Sequence, residues 1–122
     1  MKNINIDALY KLIDISLPKI SIKDVDIDKL LDDRDLPEFE DDWLKSFENL
    51  SNLTLTEDQK TVVNMLRERS FKKIFSLTEN PDLVSYVSDD FEIMAKYLFS
   101  DKEDEWVLKC LITNYANGKF PH

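Results

Sequence analysis

A single glycine, Gly118, stands in a chain of 122 residues, where an average composition would supply about eight. Glycine gives the backbone its positive-φ conformations, which two-residue hairpins, bulges and phosphate-cradling loops all require. A chain this poor in glycine is a poor candidate for a β-sandwich, a barrel, a P-loop or a dinucleotide fold. What remains is an all-α fold, and the 43% of hydrophobic residues is enough to build its core. We expect one domain over residues 1–122, a compact helical bundle of about six to seven helices. Gly118 itself follows a helical pattern and precedes Phe120-Pro121, the place of a helix-terminating C′ glycine.

Apolar periodicity places the helices. Ile6, Leu9, Tyr10, Leu12, Ile13 and Leu17 recur at helical spacing until Pro18. Residues 19–25 alternate through Ile20, Ile22 and Val25 and predict a short extended stretch. A short helix through Ile27, Leu30 and Leu31 follows, then one from Pro37 to about Leu50. Thr56 and Gln59 form a capping box before a helix reaching about Leu77. Val62, Val63, Leu66, Ile74 and Leu77 form its apolar stripe, widened by Phe71 and Phe75. Asn80-Pro81 starts a short helix, and Ser88-Asp89-Asp90 reads as the cap of another through Phe91, Met94, Ala95 and Leu98. The last helix, about 103–117, turns Trp106, Val107, Cys110 and Leu111 inward.

Charge restricts the partners. The net charge of −9 repels nucleic-acid backbones and anionic membranes and favours a basic protein. The acids are concentrated. Between residues 24 and 42 stand Asp24, Asp26, Asp28, Asp32, Asp33, Asp35, Glu38, Glu40, Asp41 and Asp42, against Lys29 and Arg34. Ten acids less two bases is −8 of the −9. Aromatic Phe39 and Trp43 lie among them, as aromatics do in interface hot spots. Asp32, Asp33, Asp35, Glu38, Phe39, Glu40, Asp41, Asp42 and Trp43 are therefore the candidate partner-binding residues. The competing reading is a solvated face that keeps the chain soluble.

Chemistry finds little footing. The only histidine is His122, so no Ser/His or Cys/His pair can be assembled within a folded site. Cys110, on an apolar face, reads as a small core residue. Asp24-x-Asp26-x-Asp28 begins like a calcium loop, but Lys29 occupies the place of the turn glycine and Asp35 that of the bidentate glutamate. Asp89-Asp90 reads as a helix-dipole pair. Arg67, Arg69, Lys72 and Lys73 read as partners for acids of this same chain, Glu68 and the 24–42 segment among them. No catalytic residue, metal or cofactor is expected. The first residues, from Met1 to Asp7, lack a signal-peptide run, and nothing approaches a membrane span, so the expected compartment is the cytoplasm.

The stretch from Arg69-Ser70-Phe71-Lys72-Lys73-Ile74-Phe75 through Pro81-Asp82-Leu83-Val84-Ser85-Tyr86-Val87-Ser88-Asp89-Asp90-Phe91-Glu92-Ile93 resembles small bacterial proteins of polymorphic and contact-dependent toxin loci. So does the ending, Glu103-Asp104-Glu105-Trp106 and Asn114-Tyr115-Ala116-Asn117-Gly118-Lys119-Phe120-Pro121. The resemblance covers residues 69–121, about half the chain, and is to cognate immunity proteins. It implies a chain that binds the C-terminal toxin domain of its own system, often a basic nuclease, and covers its active site. It carries over no functional residues. Trp106, Phe91 and Tyr86 match as core positions, and the acidic first half is left as the recognition surface. Two other classes stay open: a helical adaptor, regulatory subunit or phage-encoded inhibitor of another basic protein, and an enzyme working through carboxylates in a cleft.

Overall fold

The computed structural model describes residues 4–122, and in them the chain is all helix with no strand. Met1, Lys2 and Asn3, where the signal-peptide reading begins, lie outside the described residues. Helix α1, Ile6–Lys11, is capped by the Asn5 side chain, which accepts from the Ala8 N–H. It runs on as a π-helical turn, Leu12–Ser16, and a 3-10 turn, Leu17–Lys19. Pro18 lacks the N–H needed to continue the helix. Residues 19–25 are then not a strand. A second 3-10 turn, Ile22–Asp24, sits between Ile20 and Val25, the two residues with extended backbone. Local bonds decide this: Ile20 N–H finds the Leu17 carbonyl and Asp24 N–H that of Ser21, so no partner strand is needed.

Helices α2, Ile27–Arg34, and α3, Pro37–Ser51, carry the acidic segment. Helix α4, Glu57–Thr78, opens on the expected capping box, with Thr56 and Gln59 bonding each other's backbone N–H. Helix α5, Pro81–Phe99, starts at the Asn80 cap and Pro81. A π-helical turn, Val107–Ile112, leads into the short α6, Thr113–Ala116. Gly118 ends it at φ 71°: its N–H bonds the Tyr115 carbonyl, and Lys119 N–H bonds that of Asn114. That pair is a Schellman termination, and it needs the left-handed residue that glycine supplies.

The antiparallel pair α4 and α5 forms the centre, with α1, α3 and the C-terminal helical segment packed on α5 and the π turn after α1 packed on α4 and α6. Leu9, Ile13 and Leu17 meet Leu66 and Ile74 of α4, Leu83, Val87, Phe91 and Met94 of α5, and Leu111 and Tyr115, all buried in one core.

Four further expectations need correction. Ser88-Asp89-Asp90 starts no helix, because α5 is unbroken through them. Their polar groups find tertiary partners: Ser88 Oγ donates to the Arg67 carbonyl, Asp89 accepts from Arg67, and Asp90 from Arg34. The capping tendency therefore goes unused. Phe71 and Phe75 do not join the core stripe; they are 44% and 47% exposed and stack on each other, centroids 6.5 Å apart. Each follows a buried position, Ser70 or Ile74, and so is rotated about 100° away from it. Arg67, Arg69 and Lys72 of α4 pair elsewhere than the 24–42 segment. Arg67 bonds Asp89 and Glu92, Arg69 bonds Asp14, and Lys72 takes its helical neighbour Glu68 as expected. Trp106 and Cys110 are half-buried against the core rather than inside it. Burial raises the Cys110 thiol pKa, which keeps it a neutral packing group.

Thr56→Ala should lower unfolding stability by about 1 kcal/mol through loss of the cap. Phe75→Ser should change it by less than about 0.5 kcal/mol, because the ring is exposed. Urea denaturation of both variants checks the pair.

Candidate functional site

Polar groups deep in the bundle hold its acidic end together. Asp90, in the middle of α5, is fully buried, and Arg34, the last residue of α2, is 5% exposed. The guanidinium meets the carboxylate in a bidentate pair, Nη1 to Oδ2 at 2.8 Å and Nη2 to Oδ1 at 2.7 Å. Trp43 of α3 donates its indole N–H to Oδ1 at 2.9 Å, and Tyr115 of α6 its hydroxyl to Oδ2 at 2.6 Å. Arg34 Nη1 also reaches the Pro121 carbonyl at 3.3 Å. The guanidinium lies 4.6 Å from the Phe39 ring centroid and 5.1 Å from that of Tyr86. Both carboxylate oxygens are doubly satisfied, which is what makes such a buried charge tolerable.

The electrostatics agree. Burial alone would lower the Arg34 pKa, but the Asp90 charge and its hydrogen bonds reverse this and hold it above the ordinary value. Burial first and Asp90 second raise the Tyr115 hydroxyl well above 10.0. Asp90 therefore accepts from donors that keep their protons.

Over this cluster lies a groove of about 220 Å³ between α3 and α5, closed at one end by the C-terminus of α2. Arg34 and Phe39 form its floor side, with Asp35, Glu40, Trp43, Leu44, Tyr86 and Asp89 around it. Tyr86 donates its hydroxyl to Asp35 at 2.8 Å and so joins α5 to the end of α2. That bond, then burial, raises the Tyr86 pKa.

Helix α3 has three faces. Phe39, Ser46 and Leu50 are buried and fall within about 40° of the helical wheel. Glu38, Asp41 and Asp42 point away into solvent. Between these faces Leu36, Glu40, Leu44 and Phe47 share a sector of about 80°. Leu36, Leu44 and Phe47 are 50%, 42% and 39% exposed, and Phe47 stacks on Trp43 at 5.4 Å.

The nine candidate residues thus separate. Asp35, Glu40, Phe39 and Trp43 meet at the groove. Asp32, Glu38, Asp41 and Asp42 stay outside it and exposed, and Asp33 pairs with Lys29 at 2.9 Å on the far side of α2. Phe39 is not available to a partner: it is buried edge-on against Trp106, 5.3 Å away. Trp43 spends its indole N–H on Asp90 and keeps only part of its ring accessible. The start of the calcium-like pattern is likewise occupied. Asp24 accepts from Ser21, Asp26 caps α2, and Asp35 holds Tyr86.

Helical spacing groups Leu44 and Phe47 with Phe39, Trp43 and Leu50 as one apolar face of α3; the structure corrects this, leaving Leu44 and Phe47 exposed with Leu36 beside the narrower core stripe. Sequence reasoning read Tyr86 only as core. Arg34 and Asp90 carried no local signal of each other, being 56 residues apart.

Compared with known families, the chain matches a family model described as "Immunity protein PIM1" over residues 9–122. No curated protein matches the chain.

Asp90→Ala should destabilise by about 3–5 kcal/mol, because it strands the buried guanidinium. Replacing both partners with apolar residues, Arg34→Met with Asp90→Leu, should recover much of that loss. A double-mutant cycle by denaturant titration reads the coupling.

Tyr115 also sets an alkaline limit. Its folded pKa lies above the unfolded one, so its contribution is complete below pH 10.0 and is lost as pH rises beyond it. Unfolding free energy of the parent chain should fall above pH 10 more steeply than that of Tyr115→Phe, by up to about 1.4 kcal/mol per pH unit. Parallel curves would remove Tyr115 from this role.

Proposed function

The chain belongs to the immunity protein PIM1 family, and from that premise we propose that it neutralises a basic nuclease toxin by covering its active site or nucleic-acid-binding surface. Immunity to a cognate toxin is the family's function. The finer assignment rests on one observation, the concentration of acids on α2 and α3. With Asp90 neutralised inside by Arg34, the exposed carboxylates of this segment form a negative surface next to exposed apolar side chains.

Such a surface imitates the charge that a nuclease binds. It steers a cationic partner into encounter, and the apolar stripe supplies area that can stay dry once the two surfaces meet. On this reading the chain acts by binding alone, with no catalysis and no cofactor. No helix among the described residues is long and apolar enough to cross a membrane. A nuclease threatens nucleic acid in the cytoplasm, and that is where this reading places the inhibitor.

The toxin domain encoded beside this chain is the reagent for the test. Mixed at micromolar concentration, the two should co-purify, and nucleic-acid cleavage by the toxin should stop at one equivalent. A toxin that binds but has no nuclease activity would remove the nuclease assignment. Reversing Asp41 and Asp42 to Lys should slow association about tenfold at low salt and change dissociation much less. The difference should vanish at high salt. Stopped-flow and surface-plasmon kinetics across ionic strength read both rates.

A further inference from the structure

The groove over the Arg34–Asp90 pair brings apolar, aromatic and acidic side chains to one opening. Its rim pairs the exposed Leu44 with the Glu40 carboxylate, one helical turn apart on α3. Glu40 has no ion-pair partner among the described residues. Asp35 stands at the closed end and Asp89 on the α5 wall, each already holding one donor. The partly exposed Trp43 ring, stacked on Phe47, flanks the opening. Apolar and aromatic surface topped by carboxylate oxygens suits one kind of guest: a side chain with a hydrocarbon stem and a cationic head. The stem can lie on Leu44 and Trp43, and the head can reach Glu40. Planar guanidinium fits better than ammonium, because it also stacks on aromatic faces and bonds carboxylates in pairs. The walls are fixed before any partner arrives, by the hydrogen bonds of Trp43 to Asp90 and Tyr86 to Asp35. A preformed groove loses little entropy on binding.

We propose that this groove is the anchor point of the toxin interface and takes an arginine side chain of the toxin. The inference rests on the inhibitory reading above and goes further by placing one partner residue at one site. The exposed acids Asp41 and Asp42, on another face of α3, then steer the partner, and the groove holds it.

The test compares two variants against the same toxin domain. Leu44→Arg puts a cation at the rim and changes net charge by one. Asp42→Lys changes it by two, outside the groove. With far-UV circular dichroism and thermal midpoint unchanged, Leu44→Arg should weaken binding roughly 30-fold or more, and the loss should persist in high salt. Asp42→Lys should weaken it less, and only at low salt. If the parent chain binds and Leu44→Arg stays within about threefold of it, the groove is not the anchor, although the inhibitory reading stands. If the parent chain does not bind the toxin, both fall. The cationic guest is tested without toxin by adding N-acetylarginine amide to the free chain. The Trp43 indole resonance should shift saturably, and N-acetylnorleucine amide should leave it in place. Equal shifts from both compounds, or none from either, overturn the assignment.

Discussion

The bidentate contact between Arg34 and Asp90 is the constraint on which the acidic half of the molecule depends. Helices α2 and α3 carry short apolar faces and many like charges, and self-repulsion alone would drive them from the bundle. Arg34 ties the end of α2 to the middle of α5, and Trp43 and Tyr115 bring α3 and α6 to the same carboxylate. Four helices, drawn from both halves of the chain, thus meet at one buried side chain. An apolar cluster could supply comparable stability, but not this directional register. The bidentate geometry admits one rotation of α2 relative to α5, and the indole N–H one placement of α3. The groove takes its shape from that fixed register.

The same contact sorts the charges. Arg34, one of two cations in the acidic segment, is consumed inside the bundle, and Asp90 on α5 is consumed with it. Lys29 is taken by Asp33. Outside, the other carboxylates of α2 and α3 enter no ion pair among the described residues. On α3 the helical wheel sets an exposed apolar strip between the buried face and the most acidic face. Solvation explains exposed Asp and Glu readily. It does not explain Leu36, Leu44 and Phe47 exposed side by side next to them; on the reading proposed above, that strip belongs to the partner interface.

How much of this was legible in the sequence depends on whether the information was local. The scarcity of glycine, the Thr56 capping box, the Asn80-Pro81 start and the Gly118 stop each act over a few residues, and each appears where the sequence put it. Ser88-Asp89-Asp90 has the same local form and does not cap, because Arg67 and Arg34 satisfy those polar groups across the fold. Residues 19–25 alternate like a strand, yet local 3-10 bonds use their backbone groups. Of the candidate site residues, the structure brings Asp35, Phe39, Glu40 and Trp43 to one groove and leaves Asp32, Asp33, Glu38, Asp41 and Asp42 outside it. Sequence reasoning misjudged Phe39 as accessible, since apolarity among acids does not tell which way a ring points. The Arg34–Asp90 pair was out of reach for a simpler reason: one cation among ten acids has no marked partner until the helices are packed.

On the proposed reading the toxin docks on the α3 stripe and the groove wall of α5, and the paired phenylalanines of α4 stay uncovered. Hydrogen–deuterium exchange of the chain, free and in complex with the toxin domain, tests it most directly. Docking there should bring new protection over residues 35–47 and 82–89 and leave exchange across Phe71 and Phe75 unchanged. Protection on α4 around Phe71 and Phe75, with none on α3, would contradict it.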